Sequence, residues 1–502
     1  MKCIHLNVLA GSVVLSNILC KRTLCSATLE PSSLSQYTPC QTSANTEQKN
    51  RGGASQTHWT FRGGLHIYLV AASAVLSSLE GSAESFRLQV VLLASPNSTA
   101  LTKRMKNRVL YHRRNENPSY GLAKNDKFSK LSLRYFNCGW FPFPVVKNVQ
   151  FRLNCGERHN GHVVNAQILR DGMTNAGFAV IRSAVLTEQL PVCSAQRSPE
   201  LEMNLDIIMR VDMGQPNHNS DEREQNLELP LRLCHARVKP RHVTVCTQPL
   251  YEYDSLARSY AAFLPEWVNY HVRAGVDKFE LYDVDGSFAD AVAPFVETGL
   301  VHYHQLWADR FGDAIKQLTR GHGIPLCTEM LAYNHCLTVN LGISSWIFML
   351  HSPDEYAAFP SRWLQDRPAG LSQLLAGYQR LRHNISTLQV RMLSFARMEA
   401  CNDSVIRCSL FRAPAHDIAR WSPLLNPENC AWTSAFSCAM LQKKVHFRTF
   451  QFRINHYVEW KPEDAGRCRR IHGCDCKVHD DLMVVRARNW FQDGGPNASV
   501  VS

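Results

Sequence analysis

The chain has no zinc-finger spacing, no basic region leading into heptads and no aromatic RNA-binding signature. Its surplus of 12 positive charges therefore does not by itself mark a nucleic-acid binder. No segment repeats along the chain, which excludes a repeat array. Long apolar runs are scarce. The first, Ile4–Cys20, has about 17 residues, the lower limit for a bilayer helix, and His5, Asn7 and Asn17 interrupt it. A second, Leu65–Leu79, is broken by His66, Tyr68 and several serines, and reads as a buried strand rather than a second span. Charged residues are 20% of the chain and apolar residues 45%, a balance that excludes disorder over the whole length.

At 502 residues the chain exceeds one small domain, and two domains with flexible ends are expected. Cysteine is abundant, at 18 residues, and is spread along the chain rather than paired at metal-ligand spacing. That points to an oxidising compartment and disulfides. Sequons at Asn97, Asn384, Asn402 and Asn497 agree with a secreted or luminal glycoprotein. Residues 1–25 read as a signal anchor or a cleaved signal peptide; Lys21 and Arg22 behind the apolar stretch oppose the usual type II orientation. Residues 26–63, rich in Ser, Thr and Gln, read as a flexible stem. The basic run Lys103, Arg104, Lys106, Arg108, Arg113 and Arg114 reads as a solvated loop, or as a contact for acidic glycans or lipid headgroups.

From residue 64 to 233, short apolar stretches such as Leu88–Leu93, Phe178–Ile181 and Ile207–Val211 alternate with turn signals and predict a β-rich accessory domain. Gly214–Asn226 is almost wholly polar and reads as a linker. The pattern then changes to strand (Val243–Cys246), helix (Leu264 to Gly275, with Pro265 in its first turn) and strand (Lys278–Asp283), a βαβ unit of a parallel sheet. Ligands bind at the carboxyl ends of such strands, which singles out Thr247 and Asp283. A further helix from Cys327 to about Leu341 leads into the buried strand Trp346–Leu350 and then His351-Ser352-Pro353-Asp354-Glu355-Tyr356. Carboxylates at that position suit a hard divalent cation that steadies a leaving diphosphate; a solvated turn is the plainer reading.

These pieces resemble glycosyltransferase family 92, also described by its domain of unknown function 23. Glu266-Trp267-Val268-Asn269-Tyr270-His271, Gly275-Val276-Asp277-Lys278-Phe279 and Tyr282-Asp283 are similar to the opening of that family's domain. Val245 to Tyr251 resembles its first strand, Asn334-His335-Cys336-Leu337 its Asn-x-Cys-Leu helix, and Trp346 to Tyr356 its acidic strand end. Asn455-His456-Tyr457 resembles its late His-Tyr element.

The resemblance implies an α/β fold of the GT-A type, Rossmann-like, over residues 241–460, with a Cys-containing tail at 461–502. It implies inverting, metal-assisted transfer of a hexose, typically galactose, from a UDP-sugar to a glycan or glycoprotein in the Golgi lumen, with Mn²⁺ as the cation. Carried over, Thr247 and Asp283 would contact the nucleotide, and Lys444 the diphosphate unless it is a surface lysine. Asp354 would bind the metal with Glu355 beside it, and His456 would add a late metal or diphosphate contact unless it is a structural histidine. Tyr270 and His271 belong to the apolar helix face and read as packing. The acceptor-activating base has four candidates that spacing does not separate: Glu399, Asp403, Asp417 and Glu428. One departure stands out. The family begins its acidic triplet with Asp, where this chain has Ser352, or His351 in the shifted alignment. Ser352 would keep a weak oxygen contact and His351 a nitrogen one. A catalytically degenerate, glycan-binding relative is the alternative reading.

Overall fold

The computed structural model describes residues 35–40, 58–61, 65–77, 85–95, 145–154, 162–169, 183–191, 203–212, 224–316, 319–320, 328–359, 370–378, 385–396, 405, 411–412, 420–433, 438–440, 445–457 and 478–479. Residues 1–25, Phe178–Ile181, the basic run from Lys103 and all four sequon asparagines lie outside them. Among the described residues no helix is long and apolar enough to cross a membrane.

The first half builds one antiparallel sheet from β1 (Ser35–Pro39), β2 (His58–Phe61), β3 (Leu65–Ser77), β4 (Ser85–Ser95), β5 (Val145–Leu153), β6 (His162–Asn165), β7 (Gln167–Leu169), β8 (Ser183–Pro191), β9 (Met203–Asp212) and β10 (Glu224–Arg237). The strand order is β6-β5-β9-β10-β1-β3-β4-β8-β7, with β2 on β3. β6 and β7 end this order on opposite sides, yet Ala166 alone separates them in the chain. The sheet therefore curls until its ends meet, which leaves few open edges. Period-2 alternation sends Trp59, Leu88, Val90, Leu92, Phe151, Ile207 and Leu229 into one interior cluster.

The supposed stem contributes β1 and β2. β1 pairs with β10 and β3, and a Cys40–Cys234 disulfide fastens its end. The polar linker is shorter than expected, because β10 starts at Glu224 and pairs along β9. β1 takes its order from strands remote in sequence, and the start of β10 takes its order from backbone pairing with β9; local polarity reports neither.

The second half starts with β11 (Arg241–Cys246), α1 (Tyr253–Ser259), α2 (Phe263–Ala274), β12 (Lys278–Tyr282), α3 (Ala289–Glu297) and β13 (Val301–His304). α4 (Gly312–Lys316), α5 (Glu329–Val339), β14 (Ser344–Met349), β15 (Glu355–Ala358) and α6 (Gly370–Tyr378) follow. The last strands are β16 (Ile385–Ala396), β17 (Phe411–Arg412), β18 (Arg420–Leu425), β19 (Cys430–Thr433), β20 (Cys438–Met440), β21 (Val445–His456) and β22 (Val478–His479). β13, β12, β11 and β14 lie parallel in that order, and β18 closes against β14 in the opposite sense. The supposed tail adds β22, paired with β17.

α2 packs one face of this mixed sheet and α5 the other. Gly275 ends α2 at φ 103°, a conformation that favours glycine, and its N–H and that of Val276 close the last turn. α5 is buried from Met330 to Thr338 because it has sheet on both sides. Its outer neighbours Val70, Ala71, Val91 and Leu93 come from β3 and β4, which are therefore buried on both faces. That explains why these strands read as continuous apolar runs. A Cys246–Cys336 disulfide joins the end of β11 to α5.

The seam between the two sheets is polar. Gln36 Nε2 donates to Ser73 Oγ and to the carbonyls of Val339 and Leu341, satisfying the end of α5. Gln89 Nε2 donates to Thr338 Oγ1 at 2.8 Å. Arg87, 7% exposed, donates to the carbonyls of Pro427, Glu428 and Cys430.

Candidate active site

The carboxyl ends of β11, β12 and β14 converge, as parallel strands require. Gln248 N–H donates to the His351 carbonyl, and Leu250 forms a bridge with Asp283. This places Thr247, Asp283 and the segment 351–355 at one end of the sheet.

The acidic segment is a turn. Glu355 N–H returns to the Ser352 carbonyl at 3.1 Å. β15 then pairs with β21, with Glu355 opposite His456, and Tyr457 N–H donates to the Asp354 carbonyl at 2.9 Å. Residues a hundred positions apart thus meet. Asp354 Oδ2 lies 3.6 Å from His456 Nε2, and Ser352 Oγ donates to Asp354 Oδ1.

The two neighbouring carboxylates do different work. Glu355, 1% exposed, turns away and accepts from His351 N–H at 2.9 Å and from His351 Nδ1 at 3.0 Å. Burial pulls the His351 imidazole down. The charge and hydrogen bond of Glu355, with Glu329 and Asp354 behind, outweigh burial and raise it to about 9. His351 Nδ1 is thus committed to Glu355, whose charge favours the protonated imidazole.

Asp354 and His456 fit a divalent cation. Two ligands at about 2.1 Å and a right angle stand roughly 3 Å apart, so the 3.6 Å separation needs only a small closure. His456 Nδ1 is buried with no hydrogen-bond partner among the described residues. Ser352 Oγ reaches the same carboxylate as a neutral oxygen.

Asp283 is buried and saturated. Its carboxylate accepts from the N–H groups of Asp285, Gly286 and Phe288 and from Tyr303 Oη. Burial raises its carboxyl to about 6 against the pull of Tyr303 and Phe288. Its visible work is to shape the loop after β12. Thr247 is buried as well, and its Oγ1 accepts from Tyr282 N–H at 3.4 Å. Lys444, Glu399, Asp403 and Asp417 lie outside the described residues. Glu428 follows β18, which runs antiparallel to β14 and ends opposite Ile347. It therefore sits at the amino end of the parallel strands, away from Asp354, and its carbonyl binds Arg87. A base role for Glu428 at Asp354 is corrected by that direction of β18.

The Glu266-Trp267-x-x-Tyr270-His271 motif holds β15. Positions i, i+1, i+4 and i+5 share a helix face. Trp267 Nε1 donates to the Glu355 carbonyl at 2.8 Å, and Tyr270 Oη donates to the Ala357 carbonyl. Tyr356 Oη donates to Glu266 Oε1. His271 Nδ1 meets the Trp267 carbonyl and Nε2 meets Ala357 N–H, so Nδ1 carries the proton and Nε2 accepts. On α5, Asn334 exchanges side-chain bonds with the Thr433 backbone, tying β19 to the helix.

His271 gives a pH prediction. Unfolded, its imidazole takes a proton near about 6.5; folded, burial first and foremost lowers it to about 4. Between these values the unfolded chain binds more protons, so stability falls as pH drops, by about 3 kcal/mol at the lower end. Denaturation midpoints at pH 7 and pH 5 should fall further apart in the wild type than in His271→Asn. Equal pH slopes would refute this account of the buried histidine.

Two features escape sequence reasoning. Glu329, in the first turn of α5, binds Tyr333 Oη and lies within electrostatic reach of His351 and Glu355. Separately, Glu280, His302 and His304 place one ligand-type atom each within 4.8 Å of one another. The His-x-His alternation on β13 was the only signal for it.

Residues 241–356 match the model of Glycosyltransferase family 92. The matched segment runs from the start of β11 to Tyr356 in β15, and thus holds the βαβ unit, α5 and the Asp354 turn. The match supports a glycosyl-transfer role for this domain. His456, which completes the Asp354 pair, lies beyond the family 92 segment. None of the curated proteins compared matches the chain.

Proposed function

We propose that the chain is an inverting GT-A glycosyltransferase that moves a hexose, galactose by family expectation, from a UDP-sugar to a glycan or glycoprotein. The observation that carries the reading is the Asp354–His456 pair at the carboxyl end of β14, in which Asp354 belongs to the segment matching glycosyltransferase family 92 and His456 is brought to it by β21. Asp354 and His456 would hold Mn²⁺, with Ser352 beside them. The cation, when bound, supplies Lewis-acid stabilisation of the departing diphosphate. His351, held as an imidazolium by Glu355, adds fixed positive charge beside the developing negative charge. Thr247 and the loop that Asp283 organises form the floor for the nucleotide. Buried disulfides at Cys246–Cys336 and Cys430–Cys438 support a secretory-pathway, luminal setting.

Titration calorimetry of UDP into the full chain tests the reading. Binding is expected with Mn²⁺ and lost with chelator. No UDP binding in either condition would contradict it.

A degenerate, glycan-binding relative is the second reading, favoured by Ser352 where the family has Asp. Ser352→Asp separates the two. Metal-dependent turnover arising only in that variant marks the native chain as degenerate; turnover already present in the native chain removes this second reading.

A further inference from the structure

We propose that Glu280, His302 and His304 form a zinc site, distinct from the Asp354 pair and independent of the glycosyltransferase reading. His302 and His304 stand two residues apart on β13, so both rings leave one face of the strand. β13 lies parallel to β12 with Glu280 opposite His302, which brings the carboxylate to the same face. Glu280 Oε2 lies 2.9 Å from His302 Nδ1 and 2.8 Å from His304 Nε2. Tyr303, between the two histidines, points to the opposite face and binds Asp283, so the cluster is not part of the nucleotide floor.

The donor set is chemically apt. Two imidazole nitrogens and one carboxylate oxygen are the ligands of zinc sites that keep a fourth position open. Zinc bonds of about 2.0–2.1 Å at tetrahedral angles separate ligand atoms by roughly 3.4 Å. The O–N pairs at 2.8 and 2.9 Å need to open by about half an ångström to admit an ion. The protons now shared between Glu280 and the imidazoles are what the ion would replace.

Burial grades across the site. The Glu280 and His304 side chains are 3% and 5% exposed, and that of His302 is 58% exposed. Two ligands are thus fixed inside, and the third opens to solvent as an entry path. The Tyr282 ring stacks on His304 at 4.5 Å between centroids and fixes its plane. Tyr282 Oη in turn meets His335 Nδ1 at 2.8 Å. Arg310, over the Trp307 ring, is the nearby cation that a bound ion must tolerate. Among the described residues β13 pairs with β12 alone and ends the sheet order. Zinc bridging the two strands would pin that edge.

The test uses the full chain stripped by chelator and retitrated with Zn²⁺ against a chromophoric competitor. The His302→Ala and Glu280→Gln variants are run beside it, with Co²⁺ as a spectroscopic probe. The wild type should bind one more zinc per chain than His302→Ala, and should show tetrahedral Co²⁺ bands that the variant lacks. Zinc should raise the thermal midpoint of the wild type and leave that of His302→Ala where it was. His302 is mostly in solvent, so the metal-free variant should keep the wild-type circular dichroism; if it does not, His302→Gln replaces it. Equal zinc stoichiometry and affinity in wild type and variant, or no zinc bound by the wild type, would overturn the site.

Discussion

Asp354→Asn is expected to lower the rate of sugar transfer on the order of a hundredfold or more at saturating donor, the scale at which removing one electrostatic stabiliser acts. Asn has the shape of Asp, so the turn should survive. The Asp354 backbone carbonyl would still take Tyr457 N–H, and β15 would still pair with β21. What disappears is the negative charge 3.6 Å from His456 Nε2. The neighbouring Glu355 does not compensate, because both its oxygens already accept from His351. The assay follows UDP release across a Mn²⁺ series. The variant should need far more Mn²⁺ and still fall short of the wild-type kcat. A variant with wild-type kcat and unchanged metal dependence would remove Asp354 from the chemistry.

The second large effect concerns stability. Arg87→Met should lower the thermal midpoint of the chain by several degrees, from a loss of about 2–4 kcal/mol. Arg87 stands on β4, and its guanidinium crosses the seam to the carbonyls of Pro427 and Glu428 in the turn after β18 and of Cys430 at the start of β19. Burial lowers it to about 10, with Glu428 pulling the other way, so it stays charged at neutral pH. Methionine matches the length of the stem and removes every donor. The carbonyls of Pro427, Glu428 and Cys430 would lose these bonds, each at roughly 1 kcal/mol or more. Relief from desolvating a charge offsets part of this. An unchanged midpoint would mean that the seam between the two sheets is not held by Arg87. Gly342 lies on the same seam. It has φ 73°, and a Cβ there would meet Val75 Cγ1 at 2.6 Å, so the close approach of the sheets excludes a side chain.

The parts of the fold legible in sequence are those whose signals are local. α2 announces itself by Pro265, its apolar face and Gly275, and β14 by an unbroken apolar run before a turn. β3 was legible because burial on both faces leaves no polar alternation. β1 and β2 were not. Their short polar strands take their order from β10 and β3, and Cys40 bonds to Cys234 across 194 residues. Within the site, the neighbourhood of Asp354 was readable, yet the division of labour was not. A carboxylate after a strand looks the same whether it stands beside a histidine remote in sequence, as Asp354 does beside His456, or folds its own loop, as Asp283 does. Glu280 and its two histidines come together only through the parallel register of β12 and β13, which no spacing along the chain records. Glu428 looked eligible by position, and only the reversed direction of β18 removes it.

The activity proposed for the domain beginning at β11 is transfer of a sugar from a nucleotide donor with the help of Asp354. The most direct measurement is turnover of a panel of UDP-sugars by the full chain, with a mixed glycan acceptor, in Mn²⁺ and in chelator. The account predicts that one UDP-hexose is consumed, with release of UDP, in Mn²⁺ only. No consumption of any donor in Mn²⁺, or equal consumption in chelator, would contradict it.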